Sequence, residues 1–181
     1  MESQEYFLRE IKSRAKILIL GGGTGEILLK LNNLKPDCEV FYIEASEKMI
    51  LLAKKKCRAL NNIHFIHGTE QNIPRGDFDV VITNFFLDLF DNTTLPSILN
   101  NINGALQMNS LWFITDFVNG KKWWQKFLLR VMYLFFRIIC QIESKTLPLW
   151  ESELQRLGFK KERSAFFFND FIKSELYQRI F

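Results

Sequence analysis

Four of the five residues in Gly21-Gly22-Gly23-Thr24-Gly25 are glycine; they follow the apolar run "KILIL", and Glu44 stands nineteen residues after Gly25. Glycine weakens strands and helices alike, so this density implies a benefit that offsets the entropy it costs. Missing β-carbons let a ligand lie directly on the main chain. Free N–H groups at the start of a following helix favour polar or anionic groups. A carboxylate at Glu44 can accept hydrogen bonds from two ribose hydroxyls, as dinucleotide-binding folds do. A tight turn beside an exposed acid is the plainer alternative. The order strand, loop, helix, strand, acid weighs against it.

Positioning such a loop requires alternating elements, and the chain supplies them. "KILIL", "CEVFYI", "IHFI", "FDVVIT" and "SLWFITDF" read as β-strands. Helical runs separate them: "TGEILLKLNNL", "SEKMILLAKKKC" with Ser46 as N-cap, and a stretch around Leu95 to Leu106. A short N-terminal helix is predicted over Ser3 to Ser13, within residues 1–15. "PLWESELQRLG" reads as a helix stopped by Gly158. "FKKERSAFFF" and "FIKSELYQRIF" form an antiparallel hairpin through Asn169-Asp170. The fold class is therefore α/β: Rossmann-like, doubly wound, a mostly parallel seven-stranded sheet with an antiparallel C-terminal hairpin and helices on both faces. The 181 residues suit one domain, 1–181, with no repeat or linker.

The net charge of +4 is a local matter: residues 121–145 carry six Lys or Arg against one acid, Glu143, and the rest is nearly neutral. A general affinity for nucleic acid is not implied. Cys38, Cys57 and Cys140 are widely spaced, without a C-x-x-C pair, so neither a disulfide framework nor a zinc site is expected and a reducing cytoplasm fits. The charged start "MESQEYFLREIKSR" is unlike a signal peptide. His64 and His67 flank the third strand without a further ligand nearby, so no metal is expected.

The loop's spacing is G-x-G-x-G, with Glu26 where the nicotinamide fingerprint has its third small residue. Here the sequence resembles the class I S-adenosylmethionine-dependent methyltransferases, whose first motif commonly has this form. "IEASEKMILLAKKK", "IHFIHGTEQNIPRGDFDVVITNFFLDLF" and "INGALQMNSLWFITDF" resemble the segments that follow it in that family, so the motifs cover about Lys16 to Phe117. The resemblance implies S-adenosylmethionine as cofactor, held by Gly21, Gly22, Gly23 and Gly25, by Glu44 and Ala45 at the ribose, and by Met49 at the adenine. It also implies Thr69 or Glu70 at the adenine amino group, and Asn84 and Phe85 beside the methyl donor with Leu89 nearby. Three departures stand out. Ile19 replaces an acid that often orients the cofactor's amino-acid end, Gly68-Thr69-Glu70 replaces Gly-Asp-Ala, and little chain precedes the first strand.

Methyl transfer from a sulfonium needs alignment and desolvation more than a nucleophile triad. Asp88 is the first candidate for an acceptor-side base, and Asp116 the second; a solvated acid at a helix start is the alternative for Asp88. After Asn84 the paired prolines of amino-group methyltransferases are missing, which counts against adenine or glutamine as acceptor. Residues 120–145 are predicted to insert an amphipathic helix, either packed on the sheet or covering the acceptor as a lid. Its aromatic and basic residues, 121–142, also suit a peripheral contact with anionic lipid. The function expected is methylation of a small or lipophilic molecule, with a homodimer as the further expected assembly. The rivals are a non-catalytic nucleoside-binding or interaction protein and an NAD(P)-dependent oxidoreductase.

Overall fold

In the computed structural model the described residues are 2–118 and 150–181. Strand β1 (Lys16–Leu20) sends Ile17 and Ile19 into one core and Leu18 and Leu20 into another. A central strand between two helical layers requires this two-sided burial. It pairs in parallel with β2 (Glu39–Glu44) and β4 (Phe78–Asn84). Outside these lie β3 (Ile63–His67), parallel to β2, and β5 (Leu106–Phe117), parallel to β4. Strand β7 (Ile172–Arg179) runs antiparallel to β5 and to β6 (Phe159–Phe167). The sheet order is β3-β2-β1-β4-β5-β7-β6, the expected seven-stranded Rossmann-like arrangement with its reversed hairpin. Phe168, Asn169 and Asp170 turn that hairpin with φ of 52°, 54° and 63°.

Helices α2 (Glu26–Leu34) and α3 (Glu47–Lys56) cover one face, burying Ile27, Leu28, Leu31 and Ala53 against Ile17, Ile19, Val40 and Tyr42. Ser46 caps α3 as the sequence predicts, its Oγ accepting from the Met49 N–H. Helices α4 (Leu95–Asn103) and α5 (Trp150–Arg156) cover the other face, with Ile98, Leu99, Ile102, Trp150 and Leu154 against Leu18, Val81 and Trp112. Helix α4 ends before Gly104, and Leu106 already belongs to β5, so the helix is shorter and the strand longer than the local pattern suggests.

The N-terminal segment departs from the single predicted helix. Helix α1 (Glu2–Glu5) is one turn, followed by a 3-10 turn at Leu8–Glu10. Phe7, Leu8 and Ile11 are buried together, and Phe7 packs on Phe113 at 6.0 Å. Docking that apolar trio onto the sheet breaks a helix that is too short to sustain itself. The predicted helix of residues 120–145 lies outside the described residues.

Candidate functional site

The glycine loop leaves β1 at the carboxyl edge of the sheet, where an open α/β fold has its crevice. Tyr42, buried beneath it, donates its hydroxyl to the Gly23 carbonyl at 2.8 Å. A β-carbon on Gly22 would lie 2.2 Å from the Tyr42 ring, so the loop lies flat only because that carbon is missing. Gly23 is the opposite case: its φ is +66° and nothing lies within 4 Å of where its β-carbon would stand. That bare main chain faces open space, which is what an approaching ligand needs. Gly25 has φ +79° and abuts Ala53, so it serves the packing of α2 on α3.

Glu44 ends β2, buried, and clamps the loop from the side. Its Oε2 accepts the Gly23 N–H at 2.9 Å and its Oε1 accepts the Ser46 N–H at 2.8 Å. Each oxygen keeps a second lone pair for a ligand hydroxyl. Burial, then the charge of Glu44, pushes the Tyr42 hydroxyl far above its ordinary range, so it stays a donor to the loop. Beyond β3, Thr69 caps a 3-10 turn, Glu70–Asn72: its hydroxyl accepts from the Gln71 N–H, and its own N–H donates to Asn72 Oδ1. His67 bonds the Ala45 carbonyl at 3.0 Å and His64 meets Glu39 at 2.8 Å. Among the described residues no His, Cys, Asp and Glu cluster could hold a metal ion.

At the far end, Phe85 follows β4 with φ 52°, a conformation costly for a bulky residue. Two contacts hold it there: its N–H donates to the Thr115 carbonyl at 2.7 Å, and its ring lies 4.6 Å from that of Phe117. Strain over-determined in this way is characteristic of ligand sites. Behind it, the Asp88 and Asp116 side chains meet, both buried. Burial raises Asp88 from 3.8 to about 6, against a lowering contact from Asp116. Burial, then the Asp88 charge, holds Asp116 well above the ordinary carboxylate range. Asp88 Oδ1 and both Asp116 oxygens find no donor. Two acceptor-only groups in contact are satisfied when one carries a proton.

These parts enclose one cavity of about 540 Å³. Eleven of the twelve predicted cofactor residues line it: Gly21, Gly22, Gly23, Glu44, Ala45, Met49, Thr69, Glu70, Asn84, Phe85 and Leu89. Gly25 does not, and neither do Asp88 and Asp116, which stand behind the wall in and beside the turn Leu87–Leu89. The structure adds Gln4, Glu26, Phe86 and Phe90, among others. Glu26 is legible as the residue after the loop. No local signal marks Gln4, because only the docking of α1 brings it to the cavity. Glu44 and Glu70 contribute acid, as does Glu26, which is paired with Lys56 from outside the cavity; no Lys, Arg or His is among the described lining residues, so the lining favours a cation.

Comparison with known proteins gives a consistent picture. The methyltransferase domain family profile matches residues 17–109. Carboxy-S-adenosyl-L-methionine synthase of Campylobacter hominis is 37% identical over 115 residues, covering 63% of this chain and 49% of the relative. Malonyl-[acyl-carrier protein] O-methyltransferase of Bacillus anthracis is 27% identical over 105 residues, 58% of this chain and 38% of the relative. The chain thus spans about half the length of the first curated relative it matches, or less of the second. Among solved structures, a SAM dependent methyltransferase from Aquifex aeolicus superposes with a TM-score of 0.68 at 17% identity, covering 98% of this chain and 89% of that one.

Proposed function

Given that this chain belongs to the family of class I S-adenosylmethionine-dependent methyltransferase domains, we propose that it transfers the methyl group of that cofactor to a small, lipophilic acceptor. The observation that carries the cofactor assignment is the single cavity that gathers eleven predicted residues from four strand ends. The residues fit the group. Bare Gly23 gives main-chain approach, Glu44 keeps lone pairs for ribose hydroxyls, and an acidic lining without basic side chains among the described residues suits a sulfonium. Its volume falls in the roughly 300–1,000 Å³ range of small-molecule sites.

When bound, the cofactor supplies an activated methyl group. The chain's own contribution is alignment and exclusion of water. Phe85, Phe86, Leu89 and Phe90 form an apolar wall at the end away from Glu44, with Phe117 and Phe171 packed behind Phe85. That wall supports a lipophilic acceptor. Asp88 and Asp116 stand behind this wall and outside the cavity, so neither reaches an acceptor held there, and the part of a base is assigned to neither.

A second reading comes from the relatives named carboxy-S-adenosyl-L-methionine synthase, that of Campylobacter hominis and one of Nautilia profundicola that is 22% identical and covers 89% of this chain and 76% of its own. A carboxylated sulfonium would meet the same three acids, so we place it second. Calorimetry with S-adenosylmethionine and NADH tests the first step, with binding of the former alone expected. Transfer of a labelled methyl group to lipophilic extract fractions tests the second, and intact-mass analysis of the nucleoside product separates the two chemistries. Binding without any transfer would favour a non-catalytic nucleoside-binding protein.

Free, buried Cys38 and Cys57 suit a reducing cytoplasm, and no helix among the described residues is long and apolar enough to cross a membrane. Contact of 121–142 with anionic lipid and self-association stay part of the proposal. Sedimentation with anionic vesicles and analytical ultracentrifugation test them.

A further inference from the structure

We infer that Gln4, together with Asn84, holds the amino-acid end of the cofactor, Gln4 donating its amide N–H to the ligand carboxylate and Asn84 Oδ1 accepting from its ammonium; this rests on the cofactor reading above.

Strands β2, β1 and β4 are consecutive in the sheet. A ligand whose ribose sits on Glu44 and whose backbone contact is Gly23 therefore extends toward Asn84, two strand spacings or roughly 10 Å away. A zwitterionic end arriving there needs an acceptor for its ammonium and a donor for its carboxylate. Ile19, where relatives by resemblance often carry an acid, is apolar and buried and offers neither. Asn84 Oδ1 is a buried acceptor without a partner in a residue that lines the cavity. Leaving such an atom unpaired is costly, so a ligand donor is its natural complement.

The N-terminal helix brings the second group. The Ser3 carbonyl accepts from Ser174 Oγ at 2.7 Å and from Thr115 Oγ1 at 3.4 Å, and all three residues are buried. Thr115 is the cross-strand partner of Asn84 and accepts the Phe85 N–H through its carbonyl. A hydroxyl-bonded anchor thus fixes α1 beside the end of β4, and Gln4, the next residue, lines the cavity there.

The test compares S-adenosylmethionine with 5′-methylthioadenosine, which keeps the nucleoside and sulfur but lacks the amino-acid end. Calorimetry on Gln4→Ala is expected to show about tenfold weaker S-adenosylmethionine binding with methylthioadenosine unchanged. Gln4→Glu, which sets a carboxylate against a carboxylate, is expected to lose more. Ser174→Ala, which slackens the anchor, is expected to repeat the Gln4→Ala pattern in weaker form. Unchanged S-adenosylmethionine affinity in Gln4→Ala, or equal losses for both ligands, overturns the assignment and leaves the cofactor reading standing. A wild-type protein that binds neither ligand overturns the cofactor reading and this inference with it.

Discussion

Replacing Asp116 by Asn isolates the buried carboxyl pair. In the wild type, Asp116 keeps its proton and donates to Asp88, because burial and the Asp88 charge both oppose its ionisation. Asn supplies a donor of the same shape that cannot ionise. The sign follows from linkage: both folded values lie above the unfolded ones, so the folded state binds more protons and stability falls as pH rises. Asp88 alone, raised from 3.8 to about 6, accounts for roughly 3 kcal/mol, fully present below pH 4 and lost as pH rises through 6. Asp116 adds a second loss that also begins near pH 4 and runs on up to its own raised folded value, because the unfolded chain gives up a proton that the buried group keeps. The Asp116→Asn variant keeps the first loss and escapes the second. Urea unfolding from pH 5 to 9 measures this, and the difference between the two proteins cancels every other titrating group. The variant is expected to gain on the wild type by about 1.4 kcal/mol per pH unit above pH 5, until the folded Asp116 ionises. A wild type that is as stable at pH 9 as at pH 5, or a variant that tracks it throughout, would refute the proton-sharing argument.

Glu44→Gln removes one of two acceptors that tie Gly23 and Ser46, so it is expected to cost about 1–3 kcal/mol of stability as well as tenfold or more in S-adenosylmethionine affinity. Intact stability with intact affinity would remove Glu44 from both roles. Gly23→Val places a branched side chain in the open cavity at positive φ; the protein is expected to fold, about 1–3 kcal/mol less stable, and to bind no S-adenosylmethionine by calorimetry. Retained binding would make the loop a mere turn. Tyr42→Phe deletes the hydroxyl beneath the loop and is expected to lose about 1 kcal/mol in urea unfolding, with a severalfold weaker cofactor affinity. Phe85→Gly relieves a strained φ but removes a ring that lines the cavity and packs on Phe117, and is expected to weaken cofactor affinity severalfold while transfer to a lipophilic acceptor falls further. Unchanged transfer would remove Phe85 from the acceptor wall.

What was readable in the amino-acid order is what local physics decides. Runs such as "KILIL" and "FDVVIT" are rich in apolar residues because both faces of their strands are covered. Four glycines at one strand end mark a place where main chain must come close to something, and Ser46 marks a helix start by its own hydrogen bond. These signals act over a few residues, so the sheet, its reversed hairpin and the cavity-lining residues from Gly21 to Leu89 were accessible from spacing and family resemblance. Tertiary structure alone decided the rest. The N-terminal helix broke because Phe7, Leu8 and Ile11 dock together on the sheet, a gain no helical periodicity records. Gly25 turned toward α3, and Asp88 found Asp116 rather than the open cavity. Gln4 reached the site through a bond between Ser3 and Ser174, 171 residues apart. Such pairings depend on where folded elements come to rest, and that position is set by the burial of the whole core rather than by any short stretch of chain.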